Sequence, residues 1–241
     1  ARRVSGGSTV GTKATGAPDT IKRALEEGIR AQGFGLGVDL VGITTLGSVA
    51  SAPHFDRWVE RGYAGDMHYL PKWADKRRDS RLPYSGVQSA IVVAMCYGGA
   101  EPAGPVARYA RGDDYHDVRG AKLRELQAWI SVELGRDVRG RAYVDTGPLL
   151  ERDLAQRAGL GWFGKNTNLI NPKIGSFFFL GALLIDLELV PDAPFESDHC
   201  ESCTRCIEAG PTTASNEPRV AEATRCCSYH PIAATWELPD G

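Results

Sequence analysis

Residues 144–189 read VDTGPLLERDLAQRAGLGWFGKNTNLINPKIGSFFFLGALLIDLEL and contain the pattern that decides the fold. A short apolar segment that ends at Asp145 predicts a strand, and Leu150, Leu154 and Ala158 at helical spacing predict a helix that ends at Gly159. The glycine-rich residues 159–166 then lead into an apolar run over residues 175–186, which is typical of a buried strand. The order strand, helix, loop, strand predicts a layered domain in which helices cover a sheet.

The start of the predicted helix carries two capping signals. Thr146 is a suitable N-cap, and Pro148 fits the first helical turn, where its missing N–H costs nothing. Asp145 lies at the junction between strand and helix. Its carboxylate is either a cap for backbone N–H groups or a group with a chemical role.

Similar signals continue on both sides of this stretch. They predict strands over residues 40–44 and 90–97, and helices that begin at Asp19 or Thr20, cover about 53–61 and cover about 117–134. We expect an α+β fold with one layered domain over residues 19–190. A flexible tail precedes it over residues 1–18, and a separate segment follows it over residues 191–241.

Composition excludes several classes of protein. The 241 residues are 42% hydrophobic and 24% charged, with a formal net charge of −2, which is typical of a globular domain rather than a disordered or fibrous chain. Bulk positive charge is absent, so any contact with a polyanion has to come from a local patch. No apolar run reaches the ~18 residues of a membrane helix, and we expect a cytoplasmic protein without a membrane partner.

The cysteines cluster near the end of the chain. The stretch CESCTRCIEAGP places Cys200, Cys203 and Cys206 in the spacing C-x2-C-x2-C. This spacing matches the start of the bacterial ferredoxin run and predicts an iron–sulfur cluster. The alternative is a structural zinc site in which Cys226 is the fourth ligand, although zinc sites usually consist of two separated C-x2-C pairs.

Residues 144–189, together with DHCESCTRCIEAGPTTA at 198–214, resemble the epoxyqueuosine reductase family. Further stretches fit the same family: GDMHYL, DKRRDSRLPYSGVQSAIVVAMCY, ARYARGDDYHD and RCCSY, at residues 65–70, 75–97, 107–117 and 225–229. The resemblance implies a nitroreductase-like cobalamin-binding domain followed by a ferredoxin-like segment with [4Fe–4S] clusters. It also implies reduction of epoxyqueuosine to queuosine in tRNA, the last step of queuosine synthesis.

The resemblance also implies roles for individual residues. Asp145 matches the proposed proton donor of the family, and an apolar corrin face beside a carboxyl group disfavours its charged form. The implied cobalamin contacts are Arg77, Arg108, Asp114, His116, Asp145, Lys165, Asn166, Asn168, Leu169, Gly175, Ser176, Leu180, Leu183 and Ser228. The implied cluster ligands are Cys200, Cys203, Cys206 and Cys226. Lysines and arginines of residues 76–81 are candidates for contacts with tRNA phosphates, or else form a solvated charged face.

Two departures from the family pattern affect the clusters. Gly210 stands where the ferredoxin run has its fourth cysteine, and no further C-x2-C-x3-C-P element follows. We therefore expect at most one cluster and the loss of the second. The expected partners are the anticodon stem-loop of tRNA and an external electron donor, with the chain as a monomer. The alternatives are a cobalamin-binding homologue without turnover and a zinc-stabilised RNA-binding protein.

Overall fold

The computed structural model describes residues 17–98, 104 and 106–229. The predicted tail over residues 1–18 and the last residues of the chain, 230–241, lie almost wholly outside this range. The helices are α1 (Ala17–Gly35), α2 (Ala52–Glu60), α3 (Tyr69–Lys72), α4 (Ala74–Arg78), α5 (Tyr115–Glu133), α6 (Glu151–Arg157) and α7 (Arg205–Glu208). The strands are β1 (Leu40–Thr45), β2 (Ser89–Cys96), β3 (Gly140–Tyr143), β4 (Trp162–Phe163), β5 (Leu169–Ile170) and β6 (Phe178–Ile185).

Four strands form one antiparallel sheet in the order β1-β2-β6-β3. The two long apolar strands lie in its centre, where Ile91 pairs with Leu183 and Val93 pairs with Gly181. β3 is an edge strand that pairs only with β6 among the described strands. The sheet therefore ends at β3, and the residues that follow this strand lie at its edge.

Side chains alternate between the two faces of the sheet, as the pleat requires. Ile91 and Leu183 contribute to a core with α1 and α5, while Val92 and Leu184 contribute to a second core with α6. Both central strands are thus buried on both faces. This explains why they appear in the sequence as continuous apolar runs rather than as alternating patterns.

The predicted strands and the long helix are confirmed within a few residues, but the start of α6 is a correction. The helix begins at Glu151 after Leu150, four residues later than a Thr146 cap would place it. The hydrogen bond from Thr146 N–H to the Val144 carbonyl closes a tight three-residue turn there instead. Asp145 consequently does not cap α6.

The segment after residue 190 is attached to the domain. Asp192 accepts hydrogen bonds from Arg30 at 2.6 Å and from the Ile43 N–H at 2.7 Å, and Trp162 packs against the rings of Phe195 and His199. In residues 191–229 the structure describes α7, a short 3-10 turn and an isolated bridge. The ferredoxin-like character of this segment stays a prediction. Among the described residues, no helix is long and apolar enough to cross a membrane.

Candidate active site

A cavity of about 1010 Å³ opens beside the edge of the sheet. Its wall combines aromatic side chains from β6 and α5, the start of α6, the loop between β4 and β5, and residues 217–229. Of the predicted cofactor contacts and cluster ligands, those that line it are Arg77, Asp145, Asn168, Leu169, Ser176, Leu180, Cys226 and Ser228. The structure thus brings together residues that are up to 151 positions apart in the chain.

Asp145 has a strained backbone. Its φ is +60°, in the left-handed region, and it is the central residue of the tight turn closed by the Thr146 N–H at 2.6 Å. Turns of this kind are rare because they crowd the Cβ of their central residue. The side chain is exposed to the cavity, and its Oδ2 accepts a hydrogen bond of 2.7 Å from the Tyr115 hydroxyl.

Glu151 and Arg152 lie beside this turn on α6, and both side chains line the cavity. Glu151 Oε1 accepts a hydrogen bond of 2.8 Å from the Asp145 N–H. The Glu151 side chain is half-buried in the cavity wall, and the Arg152 side chain is exposed. Burial, and then the nearby Asp145 carboxylate, raise the pKa of Glu151 to about 7. Burial also lowers the pKa of Arg152. Neither residue has a role that the sequence alone predicts. Glu151, for example, has the pattern of an ordinary acid in the first turn of a helix.

Tyr115 belongs to an aromatic wall. Its ring stacks on Phe179 with centroids 4.2 Å apart, and on the other side it contacts the ring of His116 at 4.0 Å. Burial, followed by the hydrogen bond to Asp145, raises the pKa of Tyr115 well above its usual range. The hydroxyl therefore remains a hydrogen-bond donor to Asp145 throughout the ordinary range of pH.

A buried cation supports the aromatic wall from behind. The guanidinium of Arg119 lies 3.7 Å from the centroid of the Phe179 ring and donates to the Tyr115 carbonyl at 2.9 Å. Burial lowers its pKa to about 10, so it keeps its charge near neutral pH. A cation on an aromatic face is stabilised by the ring quadrupole, and this contact helps to hold the orientation of the Phe179 ring.

Arg77 is a second buried cation and faces the cavity. Only 6% of its surface is exposed, and its closest polar contacts are long ones, to the carbonyls of Leu70 at 3.5 Å and Trp73 at 3.4 Å. No carboxylate among the described residues lies within ion-pair distance of it. Burial lowers its pKa, and the charge of the more distant Glu151 carboxylate opposes this shift only in part. A buried guanidinium at a cavity wall, without an ion-pair partner among the described residues, suits a ligand that carries a phosphate.

The glycine-rich residues 159–166 lead into β4 and begin the turn between β4 and β5. A Cβ at Gly161 would lie 2.2 Å from the Ile170 carbonyl, so this glycine permits close approach of the hairpin backbone. Lys165 points away from the cavity. Its Nζ donates to the carbonyls of Glu201 at 2.6 Å and Cys203 at 2.9 Å. Lys165 thereby connects the cysteine segment to the loop whose Asn168 lines the cavity.

Several predicted contacts lie outside the cavity lining. The side chain of Leu183 is fully buried in the core shared with α1 and α5. Asp114 caps α5 by accepting the His116 N–H. The others outside the lining are Arg108, His116, Lys165, Asn166 and Gly175.

The basic run near α4 is not a uniform positive face. Arg78 pairs with Asp56 at 3.0 Å, and Arg81 pairs with Asp79 at 2.5 Å, so these charges have local partners. Lys76 remains, with its ammonium 4.7 Å from the centroid of the exposed Trp73 ring.

The cysteine thiols do not form a ligand set in this structure. Among the residues that the structure describes, no group of three or more His, Cys, Asp or Glu side chains is arranged to hold a metal ion. Cys203 and Cys206 are exposed, Cys200 is half-buried, and Cys226 lines the cavity. The positions shown for these side chains therefore do not fit a cluster.

Three comparisons identify relatives. Residues 77–146 match the family model described as "Epoxyqueuosine reductase QueG, DUF1730". The chain is 39% identical over 216 residues to an epoxyqueuosine reductase of Cellulophaga algicola, which covers 88% of this chain and 70% of that protein.

Solved structures are similar as well. One is an epoxyqueuosine reductase with an epoxyqueuosine-modified tRNA-Tyr stem loop, at 31% identity and a TM-score of 0.74, over 86% of this chain and 57% of that one. Another is the Bacillus subtilis enzyme with an aspartate-containing catalytic loop swung out of the active site, at 28% identity and a TM-score of 0.73, over the same shares. The chain thus spans a little over half the length of these structures. By its identity to relatives of which it covers more than two thirds, the chain belongs to the epoxyqueuosine reductase family.

Proposed function

We propose that this chain reduces epoxyqueuosine to queuosine in tRNA, with cobalamin bound in the cavity. The observation that carries the proposal is the pair formed by Asp145 and Tyr115, which places a carboxyl group in a large, partly apolar cavity. Conversion of an epoxide to an alkene takes up two electrons and two protons and releases the epoxide oxygen as water. The site must therefore deliver protons to an oxygen atom as its bonds to carbon break.

The residues of the cavity fit cobalamin. The aromatic wall of Tyr115 and Phe179 suits the flat apolar faces of a corrin, and Asn168 and Ser176 can bond its amide side chains. Arg77 supplies the buried cation that the phosphate of the nucleotide tail requires. Cobalamin, when bound, supplies the electrons for the reduction, and the protein orients the substrate and manages the protons.

Asp145 is the proposed proton donor. The Tyr115 hydroxyl fixes one carboxyl oxygen, and among the described residues no other hydrogen bond to this carboxyl group is present. The second oxygen is thus available to a substrate in the cavity. The target base has to be unstacked from the anticodon loop to reach it, since the donor lies inside the cavity rather than on the outer surface.

The cysteine spacing supports one iron–sulfur cluster at Cys200, Cys203 and Cys206, although these thiols do not form a ligand set in this structure. Lys165 supports this location, because it connects the cysteine segment to the hairpin that lines the cavity. The external electron donor, the monomeric state and the cytoplasmic location stay predictions.

Single-turnover conversion of an epoxyqueuosine-modified stem loop tests the proposal. The chain is loaded with cobalamin, reduced chemically without oxygen, and mixed with the RNA, and the nucleosides are then analysed by mass spectrometry. We expect queuosine to appear only when cobalamin is present. A fully loaded chain that binds the RNA and converts none of it would contradict the proposal and would favour a cobalamin-binding homologue without turnover.

A further inference from the structure

Glu151 lies next to the proposed proton donor and has no role in the function described above. We propose that Glu151 is a positioning residue: by accepting the Asp145 N–H, its carboxylate holds the strained turn that presents the Asp145 side chain to the cavity. The inference rests on the proposed function for its effect on the reaction. The contact itself can be tested without that function.

The turn at Asp145 needs a restraint. A residue at φ +60° in a three-residue turn relaxes readily to an extended backbone, and such a change would carry the side chain elsewhere. Two contacts oppose this relaxation from opposite sides. Tyr115, on α5, holds the carboxyl group at 2.7 Å, and Glu151, on α6, holds the N–H at 2.8 Å. In the Bacillus subtilis relative a catalytic loop with an aspartate is found swung out, so a loop of this kind can move.

The position of Glu151 is costly, which argues against an incidental contact. Its side chain is half-buried in the cavity wall, and its carboxylate lies beside a second carboxylate, that of Asp145. The cations that act on it, Arg152 on the same helix and Arg77 on α4, offset this cost only in part, because burial has the largest effect on its pKa. The bond to the Asp145 N–H is the one hydrogen bond of the Glu151 side chain among the described residues.

An ordinary role as the first acid of α6 does not account for these features. The first turn of α6 contains a second acid, Asp153, whose carboxylate accepts the Ser51 N–H at 3.1 Å and pairs with Arg157 at 2.9 Å. A first-turn acid also needs no contact with a residue six positions earlier. The geometry therefore assigns Glu151 to the turn rather than to the helix.

Residue-resolved hydrogen exchange of the Asp145 amide, in the protein loaded with cobalamin, tests the contact directly. At a pH well above 7, where Glu151 with its pKa of about 7 is ionised, we expect Glu151→Ala to accelerate this exchange roughly ten- to a hundredfold, as expected for the loss of a hydrogen bond to a charged acceptor. Glu151→Gln keeps an acceptor oxygen and should preserve most of the protection. The matched control is Glu188→Gln, since Glu188 is exposed, pairs with Lys22 at 3.5 Å and lies outside the cavity lining, so that it should leave the Asp145 amide unchanged.

The same variants are compared in single turnover of the modified stem loop. We expect Glu151→Ala to lower the rate at saturating RNA roughly ten- to a hundredfold while the half-saturating RNA concentration stays the same, because a misplaced donor affects the chemical step. Glu151→Gln should restore much of the rate. If Glu151→Ala fails to fold, Glu151→Asp, which keeps the charge but shortens the reach, takes its place with the same expectations.

Unchanged exchange of the Asp145 amide in Glu151→Ala would overturn the inference, whatever the activity. Accelerated exchange of the Asp145 amide together with an undiminished single-turnover rate would also overturn the inference, because the turn would then be irrelevant to the reaction. If the wild-type chain converts no RNA, the proposed function fails by itself, and the exchange data still decide whether Glu151 holds the turn.

Discussion

Replacement of Asp145 by Asn separates proton donation from every structural role of this side chain. The asparagine oxygen can still accept the hydrogen bond of the Tyr115 hydroxyl, and asparagine tolerates the left-handed backbone found at this position. The change therefore removes the acidic proton and leaves the surrounding geometry in place. We expect folding, cobalamin uptake and RNA binding to stay close to those of the wild-type chain.

The expected loss of rate follows from the role of a general acid. Such a group typically contributes about 10²–10⁴-fold, which corresponds to about 3–5 kcal/mol of the barrier. The assay is single-turnover conversion of the modified stem loop with chemically reduced cobalamin, because this bypasses the supply of electrons. Asp113→Asn, an exposed change of the same type, is the control.

A wild-type rate in Asp145→Asn would refute the reasoning. Asp145 would then be a residue that shapes the turn, and another group would have to protonate the epoxide oxygen. Loss of cobalamin uptake in this variant would refute it differently, since the carboxyl group would then act in binding rather than in the chemical step.

Three further predictions concern the cofactor, the cysteines and the sheet. Arg77→Met should weaken cobalamin binding by about 1.5–3 kcal/mol in equilibrium dialysis, because the phosphate of the cofactor loses its cationic partner; an unchanged affinity would contradict this. Cys203→Ser should abolish iron uptake in anaerobic reconstitution, while Cys96→Ser, the control, should leave it intact. A content of about eight irons per wild-type chain would contradict the prediction of a single cluster. Gly42→Ala should lower stability by about 1–3 kcal/mol in thermal unfolding, whereas Gly47→Ala should not. The reason is that a Cβ at residue 42 would lie 2.2 Å from a backbone carbonyl at the end of α6, while the space at residue 47 is open.

The layers of the fold could be predicted because their signals are local. β2 and β6 are buried on both faces, so their sequences are continuous apolar runs with no competing interpretation. The start of α6 could not be predicted in this way. Thr146 and Pro148 have the composition of a helix start, but the turn at Asp145 delays the helix to Glu151.

The candidate site was predicted in part, through the family resemblance rather than through local pattern. Asp145 and Arg77 were named on that basis, and both line the cavity. The contact between Tyr115 and Asp145 joins residues 30 positions apart, and no periodicity reports such a pair. Lys165 shows the opposite difficulty: the family resemblance implied a cofactor contact, but its long side chain donates to carbonyls of the cysteine segment.

The location of the proposed donor follows from the architecture of the sheet. β3 is an edge strand, and Asp145 comes two residues after it, where the helical layers of the two faces meet around the end of the sheet. Tyr115 approaches from the layer that contains α5, and Glu151 approaches from the layer that contains α6. A residue in the middle of a sheet could not be contacted from both layers at once, because its side chain points to one face and its backbone groups bond to neighbouring strands. A strained turn at the end of an edge strand has neither restriction. Its N–H can therefore bond to one layer and its carboxyl group to the other.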